Sequence, residues 1–243
     1  MKDKKVLIVK NVHRESPGLI RTVLEESHVP FRVFSPYFHS DKFPDPSVYE
    51  AIIVLGGPQS ANDKSMKKEL EFIARIRELK IPYFGVCLGM QLAVKDDGGE
   101  VYNAPFKEIG CRDNLGGYYQ VELTKEGKSD QILAGINNPF KVFQLHGETV
   151  RLREDARLLG RGYGQYQTEN QVIKFGKNAY GIQGHFELTE SMLERWLQQD
   201  RDLKSLDESV REALRRDYDT IKSEYQATGR IIFHNFLKIA GII

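Results

Sequence analysis

The sequence predicts an α/β fold of three layers: a mostly parallel central sheet with helices on both faces, followed by C-terminal helices. Three observations carry that expectation. Short apolar runs of strand length alternate with amphipathic stretches over the first hundred residues, the order of a sheet crossed by helices. These runs are continuously apolar, as in strands covered on both faces. They also end in glycines or sharp turns, where ligands of such sheets bind.

Lys5 to Lys10 (Lys-Val-Leu-Ile-Val-Lys) is the first such run. Ser16 and Pro17 supply an N-cap and a first-turn proline for a helix to about Ser27, with Leu19, Ile20, Val23 and Leu24 on one face. Phe31 to Phe34 reads as a second strand, and Ser35 to Pro46, rich in Pro, Ser, His and Asp, as a loop. Ala51 to Leu55 is a third strand and ends in Gly56-Gly57-Pro58. Met66 to Leu79 has helical spacing through Leu70, Phe72, Ile73, Ile76 and Leu79. The run from Ile81 then stops at Cys87, set between Gly85 and Gly89, and the next helix ends near Asp96-Asp97-Gly98-Gly99.

Beyond that point the pattern changes. Tyr118 to Leu123, Phe140 to Phe143, Arg157 to Leu159, Gln171 to Phe175 and Ala179 to Ile182 read as further strands, some antiparallel, and Cys111 to Gly117 as a polar connection. Thr189 to Gln199 carries Met192, Leu193, Trp196 and Leu197 on one helical stripe. Ser205 to Tyr225 does the same with Leu206, Val210, Leu214, Tyr218, Ile221 and Tyr225. Both stripes suit a core better than a cofactor. Thr228-Gly229 is expected to break the pattern before a last helix, Ile231 to Ile239. The expected organisation is a main domain over residues 1–200 and a helical extension over 201–243 packed on it.

The charge balance, 35 Lys and Arg against 34 Asp and Glu, gives a net charge of +1. No global field therefore recruits nucleic acid or an anionic membrane. A small molecule or another protein is the expected partner. Two cysteines suit a reducing cytosol, and the apolar run near the N-terminus is too short for a signal peptide, so a cytoplasmic protein is expected.

The chemistry centres on Cys87. A lone cysteine in a strand is most simply a buried packing residue, but this one sits on a strand-to-helix elbow bracketed by glycines. There the backbone can bend tightly, and helix N-terminal amides favour the thiolate form that attacks carbon. Such a nucleophile needs a base, and the base needs an orienting group. His185 and Glu187 are candidates, because residues i and i+2 of an extended segment project to one side. Spacing alone does not place them near Cys87. A metal site from His146, His185 and Glu187 is the weaker use of the same groups. His13, His28, His39 and His234 read as ordinary surface or packing residues, and Lys107-Glu108 as structural.

Gly-Val-Cys-Leu-Gly-Met-Gln at 85 to 91, Gly-Gly-Pro at 56 to 58, His-Gly-Glu at 146 to 148 and Gln-Gly-His-Phe-Glu at 183 to 187 occur in this order and at these separations. Together they resemble the class I (triad) glutamine amidotransferases over roughly Lys5 to Leu197. The final helices resemble stand-alone members related to the amidotransferase part of GMP synthase. The resemblance implies a flavodoxin-like sheet, no cofactor and no metal. It implies Cys87 as nucleophile, His185 as base and acid, Glu187 as orienting carboxylate, and the backbone amides of Gly57 and Leu88 as the oxyanion hole. It further implies Gln91 and the loop Gln144, Leu145, His146 and Gly147 as the holders of substrate. The chain departs from the family pattern at Gly184, where relatives often carry an aromatic residue, and at Leu145 and Glu148.

The function implied is a glutaminase that cleaves the glutamine side-chain amide through a γ-glutamyl thioester on Cys87, with ammonia passed to a separate synthase subunit or acceptor. The alternatives are a stand-alone γ-glutamyl peptidase or hydrolase using the same triad, and a non-catalytic amidotransferase-like binding protein.

Overall fold

The computed structural model describes residues 5–37, 42–164 and 166–243. His39 and part of the expected loop over 35–46 lie outside the described residues. In chain order the elements are β1 (Val6–Val9), α1 (Gly18–Glu26), β2 (Phe31–Phe34), β3 (Ala51–Val54), α2 (Lys67–Glu78), β4 (Tyr83–Val86), α3 (Leu88–Asp96), β5 (Glu100–Gly110) and β6 (Gln120–Leu123). There follow α4 (Lys125–Ser129), β7 (Phe140–Lys141), β8 (Gln144–Arg151), β9 (Arg157–Gly162), β10 (Asn170–Phe175), β11 (Ala179–Ile182), α5 (Glu190–Gln199), α6 (Arg201–Lys204) and α7 (Glu208–Ile239).

Nine strands form one sheet in the order β2-β1-β3-β4-β11-β10-β9-β6-β7. From β2 to β11 neighbours run parallel, and from β11 outward they run antiparallel. The parallel strands are apolar throughout because both faces are covered. Val6 and Ile8 of β1 join one core with Ala51 and Ile53 of β3, Phe84 of β4 and the inner faces of α1, α5 and α7. Leu7 and Val9 point the other way, with Ile52, Val54 and Tyr83, against α2 and α3. The alternation follows from the two-residue period of a strand, and it produces the three layers.

Five expectations need correction. The strands β5 and β8 form a separate two-stranded ribbon that the sequence pattern does not announce. β5 carries Asn103, Pro105 and several charges, its register breaks between Asn103 and Glu108, and it has no apolar run to reveal it. The segment 144–147 is consequently the start of β8 and not a loop. The helix α1 begins one residue late: Pro17 is its N-cap, and Gly18 has φ +49°. A side chain on Gly18 would overlap the carbonyl of Glu187, at 1.9 Å from its oxygen, and Leu19 N–H donates to that oxygen at 2.9 Å. Finally, Thr228-Gly229 does not interrupt the last helix, and α7 runs unbroken over 32 residues. Gly229 is small because α7 crosses the Phe186 carbonyl there; a Cβ would sit 2.5 Å from that oxygen. Val210, assigned by spacing to the buried stripe, is 43% exposed.

Among the described residues, no helix is long and apolar enough to cross a membrane.

Candidate active site

The segments that leave the carboxyl ends of β1, β3, β4 and β11 converge on one cavity of about 400 Å³. At its base β4 turns into α3 through Cys87, whose φ of 49° and ψ of −107° are rare for a residue with a side chain. Strain of this kind persists only where the surroundings hold it. Here Cys87 N–H donates to the Ile182 carbonyl at 2.8 Å, and its own carbonyl accepts from Gln91 N–H at 3.0 Å. The glycine bracket is required by close approach: a Cβ on Gly85 would lie 2.5 Å from the Gly89 carbonyl carbon, and one on Gly89 would lie 2.2 Å from Val54 O. Cys87 is 6% exposed, at the cavity wall.

His185 and Glu187, both 1% exposed, lie beside it. His185 Nδ1 and Glu187 Oε1 are 2.7 Å apart, so the i, i+2 spacing does put the two on one side. The residue is held from three further directions, two at its backbone and one at its ring. His185 N–H donates to Phe143 O at 2.9 Å, Tyr225 Oη–H donates to His185 O, and the Trp196 ring meets the imidazole edge-on with centroids 4.9 Å apart. Burial alone would lower the basicity of His185. The Glu187 carboxylate and the Cys87 side chain outweigh it, and the imidazole is lifted well above its ordinary value.

Gly57 and Leu88 lie close together, since a Cβ on Gly57 would be 3.0 Å from Leu88 Cδ2. Among the described residues neither N–H is used in a turn, loop or cap hydrogen bond. Gln91 lines the cavity and donates from Nε2 to Glu148 O and to Gln183 Oε1, each at 3.3 Å. Of the segment expected to hold substrate, Leu145, His146 and Gly147 reach the cavity wall together with Glu148. Gln144 does not; its side chain is buried and donates to Gln171 Oε1 at 2.8 Å. His146 Nδ1 lies 2.9 Å from Glu148 O, and its Nε2 3.4 Å from Glu108 Oε2. Glu108 also accepts from Thr168 N–H, so it ties β5 to the edge of the site. Gly184 has no space for an aromatic group, since a Cβ there would already lie 2.1 Å from Val142 Cγ2.

Some site residues were not anticipated. Gln183 Nε2 lies 3.5 Å from Cys87 Sγ, which links Gln91, Gln183 and the thiol in one chain. Its position beside the Gly-His-Phe-Glu motif was the available signal. Glu15 and Arg14, on the segment after β1, and Asp200, before α6, also line the cavity, and nothing in their local sequence marks them. Cys111 is fully buried, and burial pushes its thiol up to about 12, which leaves Cys87 as the accessible sulfur. Among the described residues no cluster of three His, Cys, Asp or Glu side chains could hold a metal ion.

The family model described as glutamine amidotransferase class-I matches residues 18–200. A glutamine amidotransferase-like protein of Salmonella typhimurium, YfeJ, is 27% identical over 162 residues, 64% of each chain. A γ-glutamyl-L-1-hydroxyisopropylamide hydrolase of a Pseudomonas species is 30% identical over 145 residues, 58% of this chain and 48% of that one. The glutamine-hydrolysing GMP synthase of Thermotoga maritima is 36% identical over 152 residues, 61% of this chain and 26% of that one. The matched region is thus less than two thirds of the length of each of these relatives. A crystal structure of a glutamine amidotransferase from Thermotoga maritima superposes over 98% of both chains with a TM-score of 0.82 at 24% identity, which shows a shared fold. With the family model covering three quarters of its length, the chain belongs to the class-I glutamine amidotransferase family.

Proposed function

We propose that this protein hydrolyses the side-chain amide of glutamine through a thioester on Cys87. The observation that carries the reading is the elbow cysteine facing a histidine whose Nδ1 lies 2.7 Å from a buried carboxylate. In the proposed reaction the Cys87 thiolate attacks the γ-carboxamide carbon. The Gly57 and Leu88 amides receive the charge that develops on the carbonyl oxygen. His185, protonated beside Glu187, gives its proton to the departing nitrogen, and ammonia leaves a γ-glutamyl thioester. Neutral His185 then takes a proton from water, whose oxygen attacks the thioester, releasing glutamate and returning the proton to the sulfur–imidazole pair. General acid and base assistance of this kind is worth about 10² to 10⁴ in rate, and one oxyanion donor about 10² to 10³. Gln91 and residues 145–147 hold the amino-acid end of the substrate, and the ammonia serves a separate synthase or acceptor.

A second reading, hydrolysis of a γ-glutamyl amide of a larger amine, has its own support. The cavity wall continues beyond Cys87 and His185 to Arg14, Asp200, Arg201 and Asp202, and the 30% identical Pseudomonas relative carries that activity in its name. Glutamine, glutathione and γ-glutamyl alkylamines assayed side by side separate the two readings through their relative kcat/KM.

Replacing Cys87 with Ala is expected to remove all turnover above background, and a glutamine-analogue electrophile is expected to label Cys87 and spare Cys111. Turnover that survives in Cys87→Ala, or label found on Cys111 alone, sinks both readings.

A further inference from the structure

The proposed reaction uses Cys87, His185 and Glu187, yet a fourth buried ionisable group stands at the same place. Glu15, on the segment after β1, is 3% exposed and lines the cavity. Among the described residues its Oε2 is buried with no hydrogen-bond partner. A Cβ built on Gly56 would lie 3.0 Å from His185 Cε1, 3.1 Å from Glu15 Oε2 and 3.4 Å from Cys87 Cβ. The carboxylate, the imidazole and the stem of the thiol therefore converge on one glycine, whose missing side chain lets them do so.

A buried carboxylate without a donor is costly unless a positive charge faces it. Arg14 is a poor candidate, since its guanidinium is engaged with Asp200. Lys10, at the end of β1, also acts on this region, and Glu187 and Asp200 add negative charge. The imidazole of His185 is the strongest attractive charge that Glu15 meets, ahead of Arg14. Burial pushes the Glu15 carboxyl up to about 7, with His185 opposing, so its ionisation is coupled to that of the ring.

The geometry points to Glu15 as a positioning residue for the catalytic imidazole, a second carboxylate at the Cε1 edge of His185 that acts with Glu187 at Nδ1 to hold the ring protonated. This inference rests on the reading of His185 as the catalytic acid and base. Two carboxylates on one ring favour the imidazolium that accompanies a thiolate and that donates to the departing nitrogen. When the ring gives up its proton, Glu15 loses the charge that offsets its burial, so its own ionised form becomes less favourable. Its negative charge is thus strongest when His185 carries the proton and weakest when it does not.

The test is a histidine titration by NMR with ¹³C at Cε1. The His185 resonance is assigned by its loss in His185→Gln, and the titration is repeated in Glu15→Gln, Glu15→Asp and Glu69→Gln. Removing a negative charge a few ångströms from the ring is expected to bring the His185 titration down by about one pH unit in Glu15→Gln. Glu15→Asp, which keeps the charge, is expected to recover at least half of that displacement. Glu69 is the control, a buried carboxyl also pushed up to about 7 but bonded to Asn11 and outside the cavity wall; its replacement is expected to leave His185 unchanged. The alkaline limb of kcat/KM for glutamine is expected to move down by the same amount in Glu15→Gln. An unmoved His185 in folded Glu15→Gln, an equal movement in Glu69→Gln, or no recovery in Glu15→Asp overturns the inference. The resonance is read without turnover, so a wild-type protein that fails to hydrolyse any γ-glutamyl amide refutes the proposed function and leaves the Glu15 result standing.

Discussion

Cys87 holds a conformation that a glycine would hold more comfortably. With φ at 49° and ψ at −107°, its Cβ is strained by an amount on the order of 1–3 kcal/mol. The strain is tolerated because Ile182 O and Gln91 N–H bind the two sides of the residue and because Gly85 and Gly89, with no Cβ, let strand and helix close tightly around it. The side chain of Cys87 brings its sulfur to the cavity wall. The strain has a thermodynamic signature. In ordinary structure Ala is at least as favourable as Gly, yet at position 87 the Gly variant is expected to be more stable than the Ala variant by about 1 kcal/mol. Urea unfolding of Cys87→Gly and Cys87→Ala measures the difference, and Ala at or above Gly would show that the elbow is not strained.

At the scale of elements, the sheet places the residues and the helices hold them. The segment from Gln183 to Glu187 has no regular structure of its own, and it is fastened from both sides. The N-terminus of α1 binds the Glu187 carbonyl through Leu19 N–H, while α7 supplies Tyr225 to the His185 carbonyl and Tyr218 to the Leu188 carbonyl. Gly18 and Gly229 are where these helices pass so close to the segment's backbone that a Cβ would overlap it. Gly229→Ala is therefore a contest between two effects. Helix propensity favours Ala by about 1 kcal/mol, whereas a Cβ 2.5 Å from Phe186 O must push α7 away from the segment. The overlap is with backbone and cannot be relieved by a rotamer change, so the expected outcome is a net loss of about 1–3 kcal/mol, with a fall in kcat because His185 is displaced. Thermal unfolding and steady-state kinetics of the variant decide it; an unchanged or raised Tm would mean that α7 accommodates the methyl.

Across the whole molecule, α7 belongs to the core even though the family match ends at residue 200. Its buried face carries Leu214, Tyr218, Ile221, Tyr225, Ile232, Phe233, Phe236 and Leu237, and Phe84 of the central β4 lies between Phe233 and Phe236 at centroid distances of 5.5 and 5.3 Å. Burying one such side chain is worth about 1.5–3 kcal/mol, so the eight together contribute about 12–24 kcal/mol before the entropy of ordering the helix is subtracted, against a net domain stability of about 5–15 kcal/mol. We propose that residues 201–243 are an extension in sequence only and fold with the rest as one unit. A chain ending at Asp207 is expected to lack a cooperative unfolding transition by circular dichroism. A cooperative transition with native-like secondary structure in that fragment would refute this.

Much of this was legible in the chain itself. Strands buried on both faces must be apolar at every position, so β1, β3 and β4 could be read directly, and a cysteine between glycines after such a run specifies an elbow through local sterics alone. The His185–Glu187 pairing was legible as an i, i+2 spacing, and the two side chains do meet although the segment is irregular. The tertiary structure decided what depends on residues far apart. It showed that β5 and β8 pair with each other in a ribbon apart from the main sheet, while Val101 and Val150 reach the core beneath it. It kept α7 continuous through Thr228-Gly229, because that glycine answers a contact with Phe186 and not a turn. It also placed Gln183 and Glu15 against Cys87 and His185. The meaning of a lone glutamate after the first strand comes from burial and from the charge it faces, and both arise only when the ends of β1, β3, β4 and β11 meet.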